Sequence, residues 1–157
     1  MKTTQRSLQQ PIGEIMNRTP AVLPPGARIR EAVRRFQDER PAAIAVVDSA
    51  GTLCGIVTML DLLRAAAPGE GTRGPSPRAF ASRTLETVMR PGVITLEAAD
   101  SVGAALDLLI ETRFHALPVV RRYGHGPVLV GMLEQRDLLP VLADRPGRRV
   151  GQRSHLP

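Results

Sequence analysis

The stretch GIVTMLDLL at residues 55–63 returns 76 positions later as GMLEQRDLL at residues 131–139. Both copies open with a glycine and two apolar residues, and both carry an aspartate six positions on, Asp61 and Asp137. They part at the fourth position, where Thr58 stands against Glu134. Upstream the repetition runs at a constant offset of 73, carrying Ile12, Ile15 and Met16 onto Leu85, Val88 and Met89. The same offset carries Ile29, Ala32, Val33 and Phe36 onto Val102, Ala105, Leu106 and Leu109, and IAVV at 44–47 onto LPVV at 117–120. It grows to 76 because DSAGTLCG becomes RRYGHGPVLVG, an insertion placed where glycines mark a turn. A duplicated unit of about 55 residues is marginal as an isolated domain. Two copies can pack sheet to sheet, burying one face of each and leaving a pair of equivalent clefts about a pseudo-twofold axis.

Each copy reads as strand, helix, strand, strand, helix, an α/β (α+β) unit. A short extended stretch (AVL, 21–23; VITL, 93–96) leads into a helix whose apolar positions recur at i, i+3, i+4 and i+7. The second copy adds Ile110 to that face. Two β-rich runs follow, AIAVVD (43–48) and LCGIVT (53–58), joined by the turn SAG. The closing helix starts near Thr58 and stops before Pro68; its counterpart starts near Glu134, limited by Pro140 and Pro146. The expected division is an amino-terminal tail 1–9, a first repeat 10–67, a Gly/Pro/Ser-rich linker 68–83, a second repeat 84–143 and a basic tail 144–157.

The chain carries a net charge of +6. Segments 1–11, 64–83 and 144–157 together hold an excess of about +8, leaving the remaining body near −2. Basic charge confined to tails and linker argues for solvated appendages over a nucleic-acid surface, although arginine-rich arms remain the rival reading. No run approaches the roughly 20 apolar residues of a membrane helix, and the amino terminus lacks the apolar stretch of a signal peptide. Cytoplasmic residence is the expectation. Cys54 lies in an apolar run and reads as a small hydrophobe. His125 and His155 are too scattered for a metal site.

In TMLD, Thr58 has the position of a helix N-cap and Asp61 that of the third helical residue, a capping-box spacing. Such a cap contributes about 1 kcal/mol. The second copy keeps Asp137 but replaces the hydroxyl with Glu134, a poorer cap, so capping does not account for what is retained. An aspartate beside an open helix start also suits a ribose diol, whose two hydroxyls its oxygens can accept. The nearby hydroxyl and free amides suit a phosphate. Both readings stand on these residues.

The duplicated phrases GIVTMLDLL and GMLEQRDLL, in order with IMNRTPAVL, VMRPGVITL and RFHALPVV, resemble a tandem pair of cystathionine β-synthase (CBS) domains, a Bateman module, from about residue 10 to 142. The resemblance implies a non-catalytic regulatory sensor that binds AMP, ADP, ATP or S-adenosylmethionine in clefts between the repeats, with no catalytic cofactor. It implies that Thr58 and Asp61 approach phosphate and ribose in one cleft and Asp137, with Arg136 before it, in the other. Arg113 and His115 in RFHALPVV resemble the basic pair that reaches phosphates in the γ subunit of AMP-activated kinase; the other copy has Arg40 but Ala42 at those positions. It further implies a homodimer and a regulated enzyme or transporter as partner. An interaction module with empty clefts is the alternative. No nucleophile–base pair and no phosphate-cradling glycine loop is visible. Glu134 should stand in its cleft as an ionised charge beside Asp137, so the clefts should be unequal: the Thr58–Asp61 cleft phosphate-taking, the Asp137 cleft empty or open to a neutral or cationic adenosyl ligand.

Overall fold

The structure is a computed structural model that describes residues 7–71 and 73–143. The first repeat contributes β1 (Val22–Leu23), α1 (Ile29–Asp38), β2 (Ile44–Val47), β3 (Leu53–Val57) and α2 (Met59–Ala66). A short helix α3 (Pro77–Ser82) follows, then α4 (Val102–Thr112), β4 (Ala116–Tyr123), β5 (Gly126–Glu134) and α5 (Leu139–Ala143). In the first sheet β1 runs parallel to β2 and β2 antiparallel to β3; in the second β4 and β5 are antiparallel. The stretch expected as the strand VITL is reduced to a single parallel bridge, Leu96 to Val119.

Local chemistry sets the element ends. Helix α1 opens at Arg28, whose amide donates to the Glu31 carboxylate at 2.9 Å, and it buries Ile29, Ala32 and Phe36. Helix α4 opens at Ser101, whose hydroxyl oxygen accepts the Ala104 amide at 3.2 Å, and it buries Val102, Ala105 and Leu109. Ile110, expected on that face, is 68% exposed: one residue beyond Leu109 the helix has turned about 100° away from the core. The linker contains α3, capped by Ser76 with Pro77 at its first position, and Phe80 of this helix packs on the first core. The three-residue insertion lengthens the β4–β5 hairpin rather than enlarging its loop. The last helical segment begins as a 3-10 turn, Gln135–Leu138, and Pro140 falls in the first turn of α5, where its missing amide costs nothing. Pro146 and the basic tail 144–157 lie outside the described residues, as do residues 1–6.

The two halves exchange their opening segments. The turn Ile12–Glu14 belongs in sequence to the first repeat, yet Ile12 and Met16 are buried with Leu117, Val119 and Leu133 of the second. Leu85, the counterpart of Ile12, is buried with Ile29, Ile44 and Val57 of the first, with Val88 and Met89 packed beside it. The backbone bonds match pairwise: Ile12 and Gly13 donate to Asp100 and Ala98 (2.8 and 2.9 Å), Leu85 and Glu86 to Ala27 and Pro25 (2.9 and 3.1 Å). Each arm then pairs one residue onto the opposite sheet, Asn17 with Met132 and Arg90 with Ile56. Between the sheets lies a third cluster rich in small side chains: Ala43, Ala45, Leu53, Ile56, Ala116, Val120 and Met132.

The arm exchange explains the glycine that opens each repeated phrase. A Cβ on Gly55 would lie 2.8 Å from both the Arg90 carbonyl and the Met89 sulfur; one on Gly131 would lie 2.7 Å from the Met16 sulfur and 2.9 Å from the Asn17 carbonyl. Both glycines admit the arm of the other half. Because a backbone carbonyl is among the clashing atoms, the arm must shift to admit a methyl group. Gly55→Ala is expected to cost about 1–3 kcal/mol of stability, read as a lowered urea midpoint, whereas Gly26→Ala, which meets nothing within 4 Å, should leave the midpoint nearly unchanged.

Candidate functional site

The start of α2 faces a cavity of about 560 Å³ between the repeats. Ile56, Met59, Pro91, Val93 and Ile94 give it apolar walls, while Thr58, Arg64, Arg90, Arg113 and His115 bring polar and basic groups. Among the described residues, no carboxylate lines it. The entries to the two facing strands, Ala42–Ala43 and Phe114–Ala116, close its floor. Arg113 reaches its place because it ends α4 in the left-handed conformation (φ 57°). That turn swings the chain from helix into β4 and sets Arg113 and His115 on the cavity side.

Of the residues singled out from sequence, Thr58, Arg113 and His115 come together here. Asp61 lies behind them, 7% exposed and outside the lining. Its Oδ2 accepts the Thr58 amide at 2.8 Å and the Thr58 hydroxyl at 2.7 Å, and its Oδ1 accepts Arg90 Nε at 2.6 Å. A carboxylate offers about four lone-pair sites, and three are taken. Arg90 and Arg64, which sequence reading passed over, both line the cavity. The signal for Arg90 was available in VMRP, the end of the exchanged arm, but only the exchange itself brings that residue to α2.

Asp137 and Arg136 stand at the opposite helix start and are not part of this cavity's lining. Glu134 differs from expectation. It is not a bare charge beside Asp137: its Oε2 is paired with Arg136 Nε at 2.6 Å and its Oε1 accepts the Ala42 amide at 3.1 Å. Arg136 therefore offsets part, but not all, of the like-charge repulsion that Glu134 exerts on Asp137. The neighbourhood is also less positive in balance. Under the repeat offsets, Arg64, Arg90 and His115 of the first site correspond to Pro140, Asn17 and Ala42, while Arg113, Pro91 and Leu60 correspond to Arg40, Arg18 and Arg136. Three arginines stand on each side, but Thr58 and Thr112 are replaced by the acids Glu134 and Glu39.

Asp137 accepts the Glu134 amide at 2.8 Å but has no arginine in the place of Arg90. Burial pushes its carboxyl above the ordinary range and Glu134 adds to the rise, while the Glu134 backbone bond and Arg136 pull it back.

These features define a class, a duplicated α/β module with a ligand-sized cleft between its halves. The CBS domain family profile matches residues 12–68 and 85–144, and the chain belongs to that family. It is 29% identical over 126 residues to an inosine-5'-monophosphate dehydrogenase of Nitrosopumilus maritimus, covering 80% of this chain but 23% of the length of that protein. Among solved structures it is similar to CBSX2 in complex with AMP (TM-score 0.70, 21% identity, 85% of this chain and 96% of that one). It is similar as well to the CBS domain pair of protein MJ0100 in complex with 5'-methylthioadenosine and S-adenosyl-L-methionine (TM-score 0.68, 22% identity, 85% and 96%).

The Asp137 shift has a sign that can be measured. A carboxyl whose folded pKa is raised binds its proton more tightly in the folded state. Its contribution is fully present below the unfolded value of about 3.9 and is lost as pH rises through the folded value. Asp137→Asn keeps an oxygen acceptor for the Glu134 amide and removes the ionisation. Relative to the variant, the native protein should lose stability as pH rises above about 4, which urea denaturation at several pH values would read; a parallel pair of curves would contradict it.

Proposed function

We propose that the chain is a non-catalytic regulatory module that takes a phosphorylated adenosine ligand, AMP, ADP or ATP, in the cavity beside Thr58. One observation carries the reading: an apolar cleft of about 560 Å³ lined by Arg64, Arg90, Arg113 and His115, with no acid among the described residues that line it. Pockets of roughly 300–1,000 Å³ with a few convergent polar groups suit small ligands. Apolar walls can sandwich a base, and guanidinium groups are well matched to phosphate oxygens. The solved relatives with AMP, 5'-methylthioadenosine and S-adenosyl-L-methionine support an adenosyl ligand. The basic lining favours the anionic members over the cationic S-adenosylmethionine. In this reading Arg113 and His115 meet phosphate, Thr58 faces the ligand, and Asp61, behind the lining, holds Thr58 and Arg90 in place, with one acceptor site left that a ribose hydroxyl could reach past Thr58. The cleft at Asp137 and Arg136 is the poorer one, with a neutral or cationic adenosyl ligand as its occupant if any.

Calorimetric titration tests this. AMP should bind, and Arg113→Ala should weaken it about tenfold, the loss of one charge-assisted hydrogen bond, while S-adenosylmethionine binds more weakly and is little affected. Binding of S-adenosylmethionine alone, or no adenosyl ligand raising the melting temperature, would overturn the assignment.

We also propose a homodimer. Leu63 on α2 and its repeat counterpart Leu139 on α5 are both 61% exposed, with Met59 at 56% beside the first. Equivalent apolar side chains on pseudo-equivalent helices suit a symmetric interface. Leu63→Glu with Leu139→Glu should shift the protein to monomer in light scattering with its circular dichroism unchanged; a native protein already monomeric would end the proposal. The regulated partner, an enzyme or a transporter, is reached from this dimer.

A further inference from the structure

The triplet Glu134–Gln135–Arg136 touches the first cavity's floor from below without lining it. Glu134 Oε1 accepts the Ala42 amide at 3.1 Å, and an Arg136 guanidinium nitrogen donates to the Arg40 carbonyl at 3.0 Å. The Glu134–Arg136 pair, 2.6 Å, locks these two bonds together. Between them, Gln135 serves the other strand entry: its amide donates to the His115 carbonyl at 3.1 Å and its Nε2 to the Phe114 carbonyl at 3.2 Å. Consecutive residues of the second repeat thus hold both strand entries at the cavity floor, through Ala42 and through Phe114 and His115. A non-glycine residue at positive φ leads into each entry, Arg40 (50°) and Arg113 (57°). Such a conformation persists only where its surroundings hold it.

The counterparts in the first repeat are Thr58, Met59 and Leu60, which all line the cavity. Thr58 is too short to reach across and spends its hydroxyl on Asp61. Met59 and Leu60 carry no polar side-chain atom that could make the bonds of Gln135 and Arg136. One copy of the phrase faces the cavity; the other fastens the strand entries at its floor.

We propose that Glu134 and Arg136, with Gln135, are positioning residues for the first cavity, holding Ala42 and His115 in register so that Arg113 and His115 converge on one ligand. The substitution of Thr by Glu at the fourth position of the phrase makes this possible, because only a longer acceptor spans to Ala42. The ligand in this proposal rests on the reading above; the geometry does not.

The test uses the full chain with AMP as probe and amide hydrogen exchange as a second measurement. Glu134→Ala and Arg136→Ala should each weaken AMP about fivefold to tenfold, on the scale of one lost charged hydrogen bond. Exchange should quicken in peptides covering 40–44 and 113–116, while the distant β4–β5 hairpin tip keeps its native rate. Glu134→Gln, which retains an acceptor for the Ala42 amide, should recover most of the affinity that Glu134→Ala loses. Native AMP affinity and native exchange in Glu134→Ala would overturn the proposal, as would exchange raised equally throughout the chain, the mark of general loosening. If the native protein binds no AMP while exchange still quickens at the two strand entries alone, the ligand reading falls and the positioning role stands.

Discussion

Each half of this protein completes its core with a segment from the other. Ile12 and Leu85 are fully buried in the half to which they do not belong by sequence, and each anchors an arm that reaches a glycine at the start of the repeated phrase. The position of the cavity follows from that exchange. Arg90 immediately follows Met89, the residue packed against Gly55, so the arm that fills the first core also delivers the guanidinium that holds Asp61 and borders the cleft. A packing requirement and a polar arrangement thus share one stretch of chain.

The pseudo-twofold axis makes the backbones alike and the side chains free to differ. Where Asp61 has Arg90, Asp137 has only the amide of Glu134 and the tempered influence of Arg136. Where Thr58 caps its helix with a short hydroxyl, Glu134 reaches out to the opposite repeat. The result is a basic, roomy cleft on one side and an internally bonded floor beneath it.

Much of this was legible before any coordinates. The repeat offsets gave the matching elements, and the period of Ile29, Ala32 and Phe36 gave the buried face of α1, because both signals are local. Ile110 was misplaced because an apolar letter next to a genuine core position carries no angular information by itself. The capping geometry of Thr58 and Asp61 was legible from spacing, whereas Arg113 and His115 were singled out by the family resemblance alone. What could not be read was any contact made by the arm exchange. Ile12 looks the same in sequence whether it folds onto its own repeat or the other, so Arg90 stayed hidden behind Asp61. Glu134 was read as a charge standing in its cleft beside Asp137; its bond to the Ala42 amide was hidden because it joins residues 92 positions apart.

The exchanged arms also decide how such a molecule can respond to what it binds. Parting the halves would draw Ile12 and Leu85 out of the cores they fill. Each such side chain loses about 1.5–3 kcal/mol on exposure, with Met16, Met89 and the arm hydrogen bonds following. A ligand of micromolar affinity brings about 8 kcal/mol in all, so opening the cleft like a jaw would consume most of it. The interlocked frame therefore resists parting: it is built as a stiff plate whose surface relief can change, rather than as a hinge that swings.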